Sequence, residues 1–186
     1  MTQFNHHSLN SAPENSKEQL VFAKKKFGQI PNLQAVMATS PVLLKGYQML
    51  YELGADTNFT AIELQVIYLT VSYYNDCNYC MAAHSFQAKN RDKMPKEILE
   101  ALRKNLPIPA PKLEVLRNFV IEILETKGSL KEERYATFLS AGYSPKSILE
   151  IVLLIAVKVM SNYTNKIAKP QLDKVLLSQV WSKNFE

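Results

Sequence analysis

The residues that most constrain this chain are Asp76-Cys77-Asn78-Tyr79-Cys80-Met81-Ala82-Ala83-His84, which include both of its cysteines. An α-helix turns by about 100° per residue, so positions i, i+3 and i+7 lie within about 60° of one another. Cys77, Cys80 and His84 are therefore predicted to share one helix face. The same spacing brings the two thiols within the range that a disulfide accepts, with little movement of the backbone.

Cysteines near the start of a helix experience the positive end of the helix dipole, which favours the thiolate form. A thiolate attacks peroxides and becomes a sulfenic acid, and a second cysteine within reach condenses with that acid before further oxidation. His84 follows Cys80 by one helical turn, where its imidazole can relay a proton. The pattern thus favours redox chemistry based on a dithiol.

Two other interpretations of this stretch stay open on the residues alone. Two cysteines and one histidine can hold zinc if a carboxylate supplies a fourth ligand. The stretch can also be structural, with two buried thiols and a hydrogen-bonded core histidine. Haem attachment requires a histidine directly after the second cysteine, where Met81 stands. A thioredoxin fold requires strands, which the sequence does not predict.

Helix signals flank the stretch on both sides. Thr60-x-x-Glu63 is a capping box that begins a helix to about Tyr74, and Asn75-Asp76 marks a break before a helix to about Asn90. No long alternation of polar and apolar residues indicates a strand. We therefore predict an all-α multi-helix bundle, with residues 1–15 as a mobile polar tail and 16–186 as one domain. Further helix starts are predicted at Ser16-x-x-Gln19, Pro31, Pro41, Pro95, Pro111, Ser129-x-x-Glu132 and Pro145.

Bulk properties exclude several classes of protein. The net charge of +5 is scattered, and the run Lys24-Lys25-Lys26 is more typical of a solvated helix face than of a nucleic-acid site. Two close cysteines do not form a secreted disulfide scaffold. The N-terminus lacks the pattern of a signal peptide, so cytoplasm is expected. The apolar stretch Ile148–Val157, interrupted by Glu150 and followed by Lys158, falls short of the roughly 20 residues that span a bilayer.

A weak internal repeat relates two apolar segments of the chain. Residues 60–75 resemble residues 147–162, with Asn75 matching Asn162. The repeat predicts a pair of central helices related by a pseudo-twofold axis. Ordinary similarity between two buried helices explains it nearly as well.

Residues 65–85 resemble the alkylhydroperoxidase AhpD-like branch of the carboxymuconolactone decarboxylase family, and weaker similarity extends over about residues 20 to 170. The resemblance implies an all-helical fold and assembly into trimers or hexamers. It implies that Cys80 attacks a small hydroperoxide, that Cys77 resolves it as a disulfide, and that His84 takes part in proton relay. It implies an external thiol or disulfide reductant. No cofactor is expected, and the scattered charge and the short apolar stretch predict neither nucleic acid nor membrane as a partner.

One position departs from the family pattern. Gln65 stands twelve residues before the first cysteine, where the family has its relay carboxylate, and glutamine does not accept a proton at neutral pH. Glu63 is close in sequence, but residues two apart on a helix point about 200° apart. A weaker proton relay, and with it modest activity, is therefore expected. The second hypothesis is an oligomeric scaffold or redox sensor that retains the fold but turns over slowly.

Overall fold

The computed structural model describes residues 4–183. That part of the chain contains helices and no strands, which confirms the all-α prediction. The α-helices are α1 (Glu14–Phe27), α2 (Asn32–Met37), α3 (Pro41–Leu53), α4 (Ala61–Tyr74), α5 (Asn78–Asn90), α6 (Lys96–Lys104), α7 (Pro111–Thr126), α8 (Glu132–Ser140) and α9 (Pro145–Ala168). Two 3₁₀-helices span Gly54–Asp56 and Lys174–Gln179.

Helix α4 lies at the centre of the bundle and packs against α5, α7 and α9. It is apolar on all sides, and its residues from Val66 to Ser72 are buried. A helix that is apolar all round is stable only when other elements surround it. The position of α4 therefore follows from its composition, and it fixes where the neighbouring α5 presents the cysteines.

The break between α4 and α5 is sharp. Asp76 adopts the left-handed conformation with φ of 48°, and the Cys77 amide then donates to the Ser72 carbonyl at 2.9 Å. Cys77 is the N-cap of α5 and has extended backbone geometry. The prediction that Cys77 lies on the helix was therefore wrong by one residue, because α5 begins at Asn78. Cys80 lies in the first helical turn.

One of the three predicted capping boxes is confirmed. The Thr60 side chain accepts from the Glu63 amide, and the Glu63 carboxylate accepts from Thr60 and from the Tyr143 hydroxyl at 3.0 Å. Glu63 is thus a structural residue. The box at Ser16 was wrong, because α1 begins at Glu14 and Ser16 is buried within it. The box at Ser129 was wrong too, since Lys131 is the N-cap of α8.

The polar segment before α1 contacts the domain over part of its length. The His7 amide donates to the Ala35 carbonyl at 3.2 Å, and Ala12 is buried in the core. This packing differs from the mobile tail predicted for residues 1–15, of which residues 1–3 lie outside the described part. Leu9 and Ala12 make this contact through their apolar side chains. A prediction from the polar composition of the segment overlooks them.

Helices α4 and α9 pack together, as the internal repeat predicts for its two halves. The matched residues Asn75 and Asn162 are hydrogen-bonded to each other, with 2.9 Å between Nδ2 and Oδ1. Helix α9 is long and apolar enough to cross a membrane by length and composition. One such helix is weak support for a span, because the core helix of a compact domain has the same properties, and here α9 packs against α2, α3, α4 and α5.

Some apolar side chains of the bundle face outward. Leu149, Val152 and Ile167 of α9 are exposed, while Leu176 and Trp181 of the C-terminal segment are buried against the core. We expect self-association to use the exposed face of α9 because it presents apolar side chains to water. Assembly into a trimer or hexamer stays a prediction.

Candidate functional site

Cys80 is buried, with 2% of its surface exposed, in the first turn of α5. The Asn165 amide group donates to its Sγ at 3.2 Å, and the Ser161 Oγ lies 3.8 Å from it. Burial opposes ionisation of the thiol, but the hydrogen bond from Cys77 and the positive charge of Lys158 outweigh burial and lower the pKa of Cys80 to about 5. The lowered pKa favours the thiolate form of Cys80 at neutral pH.

Cys77 is buried beside Cys80, and both are free thiols. Its hydrogen bond to Cys80, together with burial, raises the pKa of the Cys77 thiol well above its usual range. Cys80 is therefore the more acidic of the two thiols. An acidic thiol of this kind is suited to act as a nucleophile, and a neighbouring thiol is suited to react in a second step.

Both ring nitrogens of His84 have partners. The Lys158 Nζ lies 2.7 Å from His84 Nε2, and the Gln65 Oε1 lies 2.9 Å from His84 Nδ1. Burial and the positive charge of Lys158 lower the pKa of His84 well below its usual range. The imidazole is therefore neutral. Its Nε2 accepts from the Lys158 ammonium group, and its Nδ1–H donates to the Gln65 carbonyl oxygen, because ammonium can only donate.

The hydrogen-bond chain continues from Gln65 to a carboxylate. Its Nε2 donates to the Asp92 Oδ2 at 2.7 Å, and Asp92 is also paired with Arg91 at 2.7 Å. The carboxylate that the resemblance places at position 65 is thus replaced by an amide with Asp92 behind it. The amide orientation follows from both contacts, since the oxygen faces the His84 donor and the nitrogen faces the Asp92 acceptor.

Lys158 was missed as a site residue by the sequence analysis, where it served only as an interruption of the apolar stretch before it. It is 2% exposed, and its Nζ lies 5.6 Å from the centroid of the Tyr68 ring. A signal was present in the sequence. Lys158 lies four residues after Leu154 and seven after Ile151, so it shares the buried face of α9. Asp92, Ser161 and Asn165 were missed as well.

A cavity of about 160 Å³ is lined in part by Cys80. Asp173 holds part of its wall, because its carboxylate accepts from the Asn32 amide at 3.1 Å and from the Tyr79 hydroxyl. The lining combines Cys80, His84 and Lys158 with five aromatic side chains, namely Phe27, Tyr47, Tyr51, Tyr79 and Phe86. A small, largely apolar molecule therefore fits beside the Cys80 thiolate.

The geometry does not favour the zinc interpretation. In residues 4–183, no three side chains among His, Cys, Asp and Glu lie together as metal ligands would. His84, the histidine of the pattern, has one ring nitrogen engaged by the Lys158 ammonium group and the other by Gln65. A cation beside Lys158 would also be repelled by its charge.

Known structures share this fold over nearly the whole chain. An AhpD-core, uncharacterized peroxidase-related protein from Ralstonia eutropha JMP134 has a TM-score of 0.82 at 18% identity, covering 97% of each chain. A peroxidase-related protein from Silicibacter sp. TM1040 has a TM-score of 0.78 at 18% identity, with 96% of each chain covered. The debrominase Bmp8, in complex with 2,3,4-tribromopyrrole, has a TM-score of 0.77 at 16% identity and the same coverage of 96%.

At the level of sequence, no curated protein matches the chain. A family model does match residues 41–120, the part that contains Gln65, both cysteines, His84 and Asp92. The model that matches these residues is that of the carboxymuconolactone decarboxylase family, and the fold as a whole is similar to that of AhpD-like all-helical proteins.

Proposed function

We propose that the protein is a thiol-dependent peroxidase that reduces organic hydroperoxides through Cys80 and Cys77. The observation that carries the proposal is the Cys80 thiolate, whose pKa is about 5 and which lines an apolar cavity with Cys77 in contact behind it. A thiolate that is stable at neutral pH, beside a second thiol, is what two-step peroxide reduction requires.

In the first step the Cys80 thiolate attacks the terminal oxygen of the hydroperoxide and the O–O bond breaks. Cys80 becomes a sulfenic acid, and the alkoxide leaves as an alcohol after taking a proton from the Lys158 ammonium group. Lys158 lines the same cavity and is the buried acid there, since the imidazole of His84 is neutral. His84 and Gln65 hold Lys158 in place through the hydrogen-bond chain from Asp92.

In the second step the Cys77 thiol attacks the Cys80 sulfur, a disulfide forms, and the hydroxyl group leaves as water with the Cys77 proton. Two external thiols then reduce the disulfide to two cysteines. Cys80 returns as the thiolate, and the proton released with it restores the Lys158 ammonium group. Over one cycle the hydroperoxide is reduced to alcohol and water, and two thiols are oxidised to a disulfide.

The test is to add one equivalent of cumene hydroperoxide to reduced protein and to follow the intact mass and the free thiols. We expect both thiols to disappear with a mass decrease of two hydrogens. Cys80→Ser is expected to abolish the reaction, while Cys77→Ser is expected to react once and stop at a sulfenic or more oxidised Cys80. Full peroxide consumption by Cys80→Ser would overturn the proposal.

A second candidate reaction is the reductive removal of a halogen from an aromatic ring. The aromatic lining around Cys80 favours it, and one protein of the same fold is a debrominase. Two thiols and an aryl bromide give a disulfide, the hydrogen-bearing ring, bromide and a proton, so the same pair suffices. Two results together would favour this reaction over peroxide reduction. The protein would release bromide from tribromopyrrole, and its thiols would not disappear faster with hydroperoxide than with tribromopyrrole.

A further inference from the structure

A second cavity, of about 450 Å³, lies on the Cys77 side of the pair. Cys77 lines this cavity and Cys80 lines the first one, while Tyr79 lines both. The two cysteines therefore line different cavities. A disulfide between them would present its Cys80 sulfur to the substrate cavity and its Cys77 sulfur to the second cavity.

The second cavity carries a net positive charge. Lys166, Lys169 and Asp76 line it, and the Lys166 Nζ lies 3.3 Å from the Asp76 Oδ2. One carboxylate thus balances one of the two ammonium groups. The remaining positive charge favours an anionic molecule in this cavity.

Asn165 supplies an independent indication of a missing ligand. Its side chain lines the second cavity and is buried, with 6% exposed. The amide nitrogen donates to the Cys80 Sγ at 3.2 Å and to the Ser161 carbonyl at 2.9 Å, whereas the buried Oδ1 has no partner in the described part of the chain. A buried acceptor without a donor is unfavourable, so this oxygen is suited to accept a hydrogen bond from a donor group of an incoming molecule.

We propose that the second cavity is the binding site for the reductant, and that the reductant is a thiol that carries a negative charge. This rests on the proposed function only in that a Cys77–Cys80 disulfide forms. The thiolate of the reductant attacks the Cys77 sulfur, the S–S bond breaks, and Cys80 leaves as a thiolate. A second reductant thiol attacks the reductant's own sulfur in this mixed disulfide, and Cys77 is released as a thiol with the proton of that second thiol.

The direction of attack follows from the acidity of the two sulfurs. In thiol–disulfide exchange the more acidic thiol is the better leaving group. The positive charge of Lys158 and the hydrogen bond from Asn165 stabilise the departing Cys80 thiolate, and neither depends on the reductant. Substrate and reductant thus need not exchange places in one cavity.

The test compares an anionic with a neutral thiol, mercaptoethanesulfonate and mercaptoethanol, as reductants of protein whose disulfide has been formed with diamide. Lys169→Glu is compared with Lys127→Glu, because both lysines are exposed left-handed C-caps of a helix and only Lys169 lines the cavity. We expect Lys169→Glu to lower the anionic-to-neutral rate ratio by about fivefold or more, because the substitution changes the charge by two units and each unit near water has an effect of about fivefold. The ratio for Lys127→Glu is expected to stay that of the unaltered protein.

An unchanged ratio in Lys169→Glu, or an equal fall in Lys127→Glu, would overturn the proposal. A second measurement locates the attack, by quenching the reduction early and fragmenting the peptide that carries the mixed disulfide. The reductant is expected on Cys77, and its presence on Cys80 would also overturn the proposal. Since diamide replaces peroxide, a failure here leaves the peroxidase proposal standing, and inertness towards peroxide leaves this one standing.

Discussion

The Lys158 ammonium nitrogen lies 2.7 Å from Nε2 of the neutral His84, and both side chains are buried. In the described part of the chain no aspartate or glutamate forms an ion pair with Lys158. A buried charge without a counter-charge is strongly unfavourable. The Cys80 thiolate, whose pKa the Lys158 charge lowers, supplies the opposite charge. The positive charge of Lys158 therefore compensates the negative charge of the buried Cys80 thiolate.

Replacing Lys158 by methionine tests this pairing. The substitution removes the charge and keeps the length of an unbranched side chain, so the Cys80 thiolate loses its counter-charge. We expect the pKa of Cys80 to rise from about 5 by about 1–3 units, the usual effect of one close opposite charge. The pH dependence of Cys80 alkylation by iodoacetamide measures the shift. Lys146→Met, on an exposed part of the same helix, is the control and is expected to leave the profile in place.

The hydrogen bond from Cys77 predicts a difference between two substitutions at that position. Cys77→Ser keeps a donor for the Cys80 thiolate, and Cys77→Ala removes it. We expect thiolate absorbance in Cys77→Ser to titrate near pH 5, and in Cys77→Ala to titrate at higher pH. Since the thiolate is the deprotonated form, alkylation of both variants falls as the pH drops through these values. Coincident titrations would contradict the hydrogen bond.

Gln65→Glu, which introduces the carboxylate of the family pattern, is expected to destabilise this chain. The new carboxylate would face Asp92 where the Gln65 Nε2 now donates at 2.7 Å. Loss of that bond and repulsion between like charges are expected to lower the free energy of unfolding by about 1–3 kcal/mol at pH 7. Urea denaturation measures the loss.

The pH dependence and a second substitution separate this cause from a packing defect. Repulsion raises one carboxyl pKa above its unfolded value, so the penalty is present at neutral pH and shrinks as the pH falls through that raised pKa. The double variant Gln65→Glu with Asp92→Asn reverses donor and acceptor, and is expected to regain most of the stability. A loss that persists in the double variant and at low pH would rule out the proposed contact.

Asp173 is expected to control access to Cys80. Its carboxylate accepts from Asn32, Gln29 and Tyr79 and thereby holds the cavity wall. We expect Asp173→Ala to raise the rate of Cys80 modification by bulky N-ethylmaleimide more than that by small iodoacetamide. The exposed Asp56→Ala serves as the control. Equal rate changes for both reagents would mean that the wall does not depend on Asp173.

The sequence predicted the helices well where the signals are local. The prolines at 31, 41, 95, 111 and 145 and the capping box at Thr60 lie at or next to observed helix starts. The error at Ser16 arises because a capping pattern says nothing about a competing partner. Ser16 donates to the Ala38 carbonyl at 2.8 Å across the fold, which no local pattern shows.

The sequence predicted the two cysteines of the candidate site, but it predicted the charged side chains around them less well. Cys77, Cys80 and His84 lie close in sequence, and the structure keeps them together. Lys158 is 74 positions from His84 and Asp92 is 27 from Gln65, so only the packing of α9 and α5 against α4 brings them in. The weaker proton relay expected from Gln65 assumed that the carboxylate must occupy position 65. In the structure, Asp92 supplies a carboxylate that is hydrogen-bonded to the Gln65 amide.

About half of the residues that line the cavity beside Cys80 come from the two ends of the chain. Phe27, Pro31, Asp173 and Leu176 line it, and all four lie outside residues 41–120, which contain Cys77 and Cys80. The cysteine pair can therefore stay the same while the shape of the cavity changes. Replacing the two ends of this chain by those of a relative would change which molecules reach Cys80 while the cysteine pair stays the same. Proteins with this cysteine pair can therefore differ in the molecules they admit without differing in their thiol chemistry.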